Sequence, residues 1–126
     1  MNDEPTATPM EESPVVLDVA GMLKRMGGLR ELACRMAQIY MKMHPEQITA
    51  LRRVVAEGDA EALRLQAHTI KGGAGNMGGI ALHSVALQME SRANAGKLEE
   101  ARRLLASVEQ ESARLLEALK KEFADA

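Results

Sequence analysis

Apolar residues in this chain return every three or four positions from Leu17 almost to the C-terminus. Leu63, Ala67, Ile70, Ala74 and Met77 form one such series, and Leu82, Val85, Ala86, Met89 and Ala93 form the next. That period stacks side chains on one stripe of an α-helix, whereas a strand exposes a new face at every second residue. Composition points the same way. Ala, Leu, Met, Glu and Arg dominate, β-branched residues are scarce, and Tyr40 and Phe123 are the only aromatic rings. These are helix formers, and a sandwich or barrel would be short of strand residues. At 126 residues the chain supports one domain with a real core. The expected fold is all-α: an up-and-down four-helix bundle with a short additional N-terminal helix.

Residues 1–14 hold Pro5, Pro9 and Pro14 with Asp3, Glu4, Glu11 and Glu12. This stretch cannot bury enough apolar surface to order itself and is expected to be a flexible tail, with the domain at 15–126. A short helix is predicted from Leu17 to Met26, stopped by Gly27 and Gly28. The next series is Leu29, Leu32, Ala33, Met36, Ile39, Tyr40 and Met43, continued by Ile48, Leu51 and Val55; Pro45 is expected to kink or split it. Gly58 and Asp59 look like a helix stop followed by an N-cap. Helices are then predicted over about Ala60 to Asn76 and Gly79 to Ala95. A last one carries Leu98, Ala101, Leu105, Val108, Ser112, Leu115 and Leu119 on one stripe.

Several function classes are disfavoured. The net charge of −2 lacks the basic excess of a nucleic-acid binder, and there are no aromatic platforms for base stacking. No apolar run approaches the roughly 18 residues that span a bilayer, so no membrane role is expected. The N-terminus MNDEPTATPM has neither the basic nor the apolar region of a secretory signal. With one cysteine, Cys34, no internal disulfide can form, and the expected location is cytoplasmic. No His, Cys, Asp or Glu set has metal-ligand spacing, and no nucleophile–base–orienter set is visible. No metal or cofactor of its own is therefore expected.

The most unusual segment is Ala67 to Gly79, which holds Gly72, Gly73, Gly75, Gly78 and Gly79, half of the chain's 10 glycines. Gly73, Gly75 and Gly78 match G-x-G-x-x-G, but a helix precedes them instead of a strand, which removes the dinucleotide-loop reading. Each glycine inside a helix costs roughly 1 kcal/mol relative to alanine. With Leu63 set at zero and about 100° per residue, the core residues of this helix fall within about 40° of it. On the same wheel His68 lies at about 140°, Lys71 at about 80° and Arg64 at about 100°. Gly75 lies at about 120°, Gly72 at about 180° and Leu65 at about 200°. His68 is thus expected to point outward, with Lys71 one turn on and glycines clearing the space above it. A surface histidine more often does nothing, and the glycines could simply mark a helix end. The cost of three helical glycines argues against that. His44 and His83 lack these neighbours and are expected to be ordinary solvated residues.

The run His68-Thr69-Ile70-Lys71-Gly72-Gly73-Ala74-Gly75-Asn76-Met77-Gly78 resembles the signature of histidine-containing phosphotransfer (HPt) domains, roughly H-T-L-K-G-S-x-x-N-x-G. Gly58-Asp59 before it, Leu82 and Met89-Glu90 after it, and the leading stretch Leu17 to Gly28 extend the likeness to about residues 15–120. Ile70 and Gly73 depart from the usual Leu and Ser. The resemblance implies a surface histidine, His68, that takes a phosphoryl group from a receiver-domain aspartate and passes it to another. Lys71 would stabilise the phosphoryl group, while Arg64, Leu65, Gly72 and Gly75 would meet the partner. Expected partners are response-regulator receiver domains and a hybrid sensor histidine kinase, with Mg²⁺ supplied by the receiver. The chain would be a phosphoryl carrier and not an enzyme. Some members place a glutamine near the phosphate; Gln88 is close in sequence, but Glu90 is nearer the expected register. A non-phosphorylated helical adaptor using the same face is the alternative.

Overall fold

The computed structural model describes residues 14–124, and among them every regular element is a helix. The helices are α1 (Val19–Arg25), α2 (Arg30–Glu57), α3 (Ala60–Asn76), α4 (Ile80–Asn94), α5 (Leu98–Arg102) and α6 (Leu105–Glu122). Packing runs from α2 to α3, α3 to α4, α4 to α6 and α6 back to α2, which closes an up-and-down four-helix bundle. The expected tail, residues 1–14, lies outside the described residues apart from Pro14.

The apolar stripes meet along the bundle axis. Leu51, Leu63, Ile70, Leu82, Met89, Leu115 and Leu119 are completely or almost completely buried, each contributing on the order of 1.5–3 kcal/mol of transfer free energy. Local signals set the register of α3. Gly58 ends α2 at a φ of 74°, and the Asp59 carboxylate accepts the Ala62 N–H at 3.1 Å, so the first turn of α3 is capped. The turn from α3 into α4 is pinned by the residue that caps α1, where the Asp18 N–H donates to the Gly78 carbonyl at 2.8 Å. Gly78 sits at φ +75°, and a Cβ there would lie 2.6 Å from the Asp18 carbonyl oxygen. Only glycine allows this approach.

Four sequence expectations give way. Pro45 does not split α2, which runs unbroken from Arg30 to Glu57. The lost backbone donor affects one turn, and that turn is held by buried Ala37, His44, Ile48 and Leu51 on either side of it. The predicted last helix is two: α5 and α6 are separated at Arg103–Leu104, where the Leu104 N–H turns back to Ala101 at 3.1 Å. This tightened turn carries neither Gly nor Pro, so composition does not announce it. The series Leu29, Leu32, Met36, Ile39 and Met43 is not core; these residues are exposed on one flank of α2, while Ala33, Ala37, His44, Ile48 and Leu51 face inward. Finally, His44 is not solvated but fully buried.

His44 is buried because its polar atoms are satisfied inside. Its Nε2 meets the Ser112 hydroxyl of α6, its Nδ1 lies 3.3 Å from the Gln47 side-chain oxygen, and its ring stacks on Tyr40 with centroids 4.8 Å apart. Burial lowers the His44 pKa, and the Gln47 hydrogen bond opposes this only in part. The unfolded chain therefore takes up a proton at His44 that the fold resists, so stability is retained above pH of about 6.5 and lost as pH falls below it. Unfolding free energies from denaturant titrations should decline from pH 7.5 to 5.5, by at most about 1.4 kcal/mol per pH unit from this group. A His44→Gln variant should lose that part of the slope; an unchanged slope would count against the mechanism.

Candidate functional site

The cap at Asp59 and the inward stripe Leu63, Ala67, Ile70 and Ala74 leave His68, Thr69 and Gly72 on the exposed side of α3. His68 stands in the middle of the helix, with its side chain 60% exposed. Across from it, the burial of Leu82, Val85, Ala86 and Met89 sets the rotation of α4. That rotation brings Glu90 beside the histidine. Glu90 Oε2 lies 2.8 Å from His68 Nδ1, and Glu90 Oε1 lies 2.7 Å from Lys71 Nζ. One carboxylate therefore joins the two residues that the sequence singled out.

The Lys71 hydrogen bond holds the Glu90 carboxyl below the usual carboxylate range; burial opposes this, and the His68 contact adds to it. Glu90 is thus ionised at neutral pH and can only accept. The proton of neutral His68 must then sit on Nδ1, donating to Glu90. Nε2 keeps its lone pair, and among the described residues it has no hydrogen-bond partner. This tautomer presents a nucleophilic nitrogen to solvent.

The other expected residues separate into two groups. Arg64 pairs with Glu61 through contacts of 3.1 and 2.7 Å, and with Lys71, Leu87, Glu90, Ser91 and Asn94 it lines a shallow hollow of about 360 Å³. Leu65 is exposed. A Cβ at Gly72 would meet nothing within 4 Å, so that surface is open. Gly75 differs from the expectation, because a Cβ there would come 3.2 Å from the His83 ring. Its missing side chain makes room for a neighbour inside the fold, and His83 is half-buried instead of solvated. Gly73 likewise faces Tyr40. Lys71 is mostly covered and tied to Glu90.

Sequence reasoning named Glu90 only as a register position. Gln88 is exposed, and its carbonyl receives the Arg92 guanidinium at 3.5 Å. The spacing of α4 carried the signal. Met89 belongs to the buried stripe, and Glu90, about 100° further around the helix, is turned toward α3. No group of three or more His, Cys, Asp or Glu side chains among the described residues could hold a metal ion.

Fold and site together define a helical bundle that offers one exposed, tautomerically fixed imidazole from the middle of a glycine-rich helix. The family model of the Hpt domain matches residues 35–124, and the chain belongs to that family. Among solved structures it is similar to histidine-containing phosphotransfer protein B (HptB) from Pseudomonas aeruginosa PAO1. The identity is 27%, with 90% of this chain and 99% of that one covered and a TM-score of 0.81. The HPT domain of a sensor hybrid histidine kinase from Shewanella shares the fold at 15% identity, with 88% and 96% covered and a TM-score of 0.77. No curated protein matches at a significant level. Among the described residues no helix is long and apolar enough to cross a membrane.

Proposed function

We propose that the chain is a histidine phosphotransfer protein of a phosphorelay, and that His68 carries the phosphoryl group. The observation that carries the reading is the hydrogen bond from His68 Nδ1 to Glu90, because it leaves Nε2 as the nucleophile on an exposed surface. In the forward step the Nε2 lone pair attacks the phosphorus of a receiver's aspartyl phosphate. The N–P bond forms, the P–O bond to the aspartate breaks, and the carboxylate leaves. The imidazole, still protonated at Nδ1, becomes cationic, and Glu90 supplies the compensating negative charge. Transfer to a second receiver reverses these events.

Phosphoryl transfer depends mostly on in-line positioning and on neutralising charge at the equatorial oxygens. Lys71 has three N–H donors and spends one on Glu90, so it can reach a phosphoryl oxygen without leaving its partner. Mg²⁺ and its acidic ligands are assigned to the receiver, whose aspartate must be activated in any case. The chain is thus a carrier, and its partners are receiver domains, including that of a hybrid sensor histidine kinase. Gly72 leaves room for the receiver's rim, with Leu65 and Arg64 beside it.

Purified chain should take radiolabel from a receiver domain loaded with labelled acetyl phosphate. The product should be acid-labile and alkali-stable, as a phosphoramidate bond is. Label stable to acid, or no label with any receiver, would refute the reading.

A further inference from the structure

The helix that holds His68 carries two cations, Arg64 one turn before the histidine and Lys71 one turn after it. Side chains four apart on a helix are neighbours, with Cβ atoms about 5–6 Å apart. Helical side chains also lean toward the N-terminus, so the His68 imidazole is tilted over the turn that holds Arg64. Both cations border one hollow, together with Glu90. Lys71 is bound there to Glu90 at 2.7 Å. Arg64 is turned aside to Glu61, nearer the helix start, through contacts of 3.1 and 2.7 Å. Those hydrogen bonds raise the Arg64 pKa, the Glu61 charge adds to them, burial opposes, and the Glu90 charge contributes last. The Glu61 side chain is 67% exposed, and an exposed pair of this kind holds its partners weakly.

We infer that Arg64 is a phosphoryl-binding residue: once His68 carries the phosphoryl group, the guanidinium leaves Glu61 for the phosphoryl oxygens and stabilises the loaded chain. The inference rests on the phosphotransfer reading. Charge favours the exchange, because Glu61 offers one negative charge and a phosphoryl group about two. Geometry favours it as well. The planar fork of a guanidinium binds two phosphate oxygens at once, whereas the Lys71 ammonium acts as a point charge. Glu61 has its own part before loading. An arginine that donated to Nε2 in the free chain would tie up the attacking lone pair, and the Glu61 contact holds it away. Arg64 and Glu61 thus form a two-position device: the guanidinium rests on the carboxylate while His68 is empty and on the phosphoryl group while it is full.

The test loads the full chain with phosphoramidate, a small donor that needs no receiver, and titrates the phosphohistidine signal by phosphorus NMR. A guanidinium on the phosphoryl oxygens favours the dianion and so lowers the pH at which the last phosphoryl proton leaves. Arg64→Gln should raise that midpoint by about half a pH unit, and Arg64→Lys should fall between it and wild type. Glu61→Gln should lower the midpoint, because the competing carboxylate is gone. Neither side chain belongs to the core, and circular dichroism should show wild-type helicity in all three variants. A pair that only steadied the helix would move neither midpoint. An unmoved midpoint in Arg64→Gln would overturn the inference. If transfer from a labelled receiver fell in that variant all the same, the arginine would belong to the contact with the partner instead. If wild type takes no label, or His68→Gln takes as much, the phosphotransfer reading fails first and the inference with it.

Discussion

Replacing His68 by glutamine should reduce phosphoryl acceptance from any receiver to background. An amide has no lone pair basic enough to attack phosphorus, and no other histidine can substitute. His44 is fully buried with both nitrogens occupied, and the half-buried His83 ring sits against Gly75. The fold should survive: at an exposed position away from the core the cost is within about 0.5 kcal/mol. Melting temperature and radiolabel incorporation, measured on the same preparation, check both halves. Label retained in His68→Gln would assign the carrier to another residue.

Glu90→Ala should have the next largest effect on the chemistry. In the proposed mechanism the carboxylate fixes the Nδ1–H tautomer and compensates the charge that develops on the ring, the role an acid plays behind a catalytic histidine. Carboxylates that orient metal-ligating histidines are worth on the order of 10–100-fold, and by analogy transfer in both directions should slow by about that much. Glu90→Gln separates the two parts of the role. Its amide oxygen can still accept from Nδ1 and hold the tautomer, but it neither balances the imidazolium nor anchors Lys71. A rate between wild type and Glu90→Ala is expected in single-turnover assays. Nitrogen-detected NMR of the His68 ring should show the Nδ1–H form in wild type and a mixture of tautomers in Glu90→Ala. An unchanged tautomer ratio and rate in Glu90→Ala would remove the assignment.

How much of this was visible in the residues follows from distance along the chain. The bounds of α3 come out as expected, because a stop glycine, a capping aspartate and an unbroken apolar period all lie within one segment. The outward position of His68 follows from the same local geometry. Glu90 is 22 residues from His68 and reaches it only through the rotation of α4 against α3. His44 is missed for the same reason: its partner Ser112 is 68 residues away, and nothing near His44 signals that a hydroxyl will meet it in the core. The exposed flank of α2 shows a different limit. Periodicity reveals that a helix has apolar flanks, but neighbouring helices decide which flank they cover, and here only one was covered. At Arg103–Leu104 the chain keeps helical backbone angles while one hydrogen bond shortens its reach, a change without a dedicated residue type.

The single open side of His68 has a kinetic consequence. With His68 as the proposed carrier, donor and acceptor would reach the same nitrogen from the same direction, so the chain would serve only one of them at a time. Every relay cycle therefore contains a departure, and a receiver that bound too tightly would stall traffic instead of speeding it. Throughput would then be governed by how quickly the spent partner leaves, and the cell could tune the pathway through the abundance of competing receivers without altering the histidine at all.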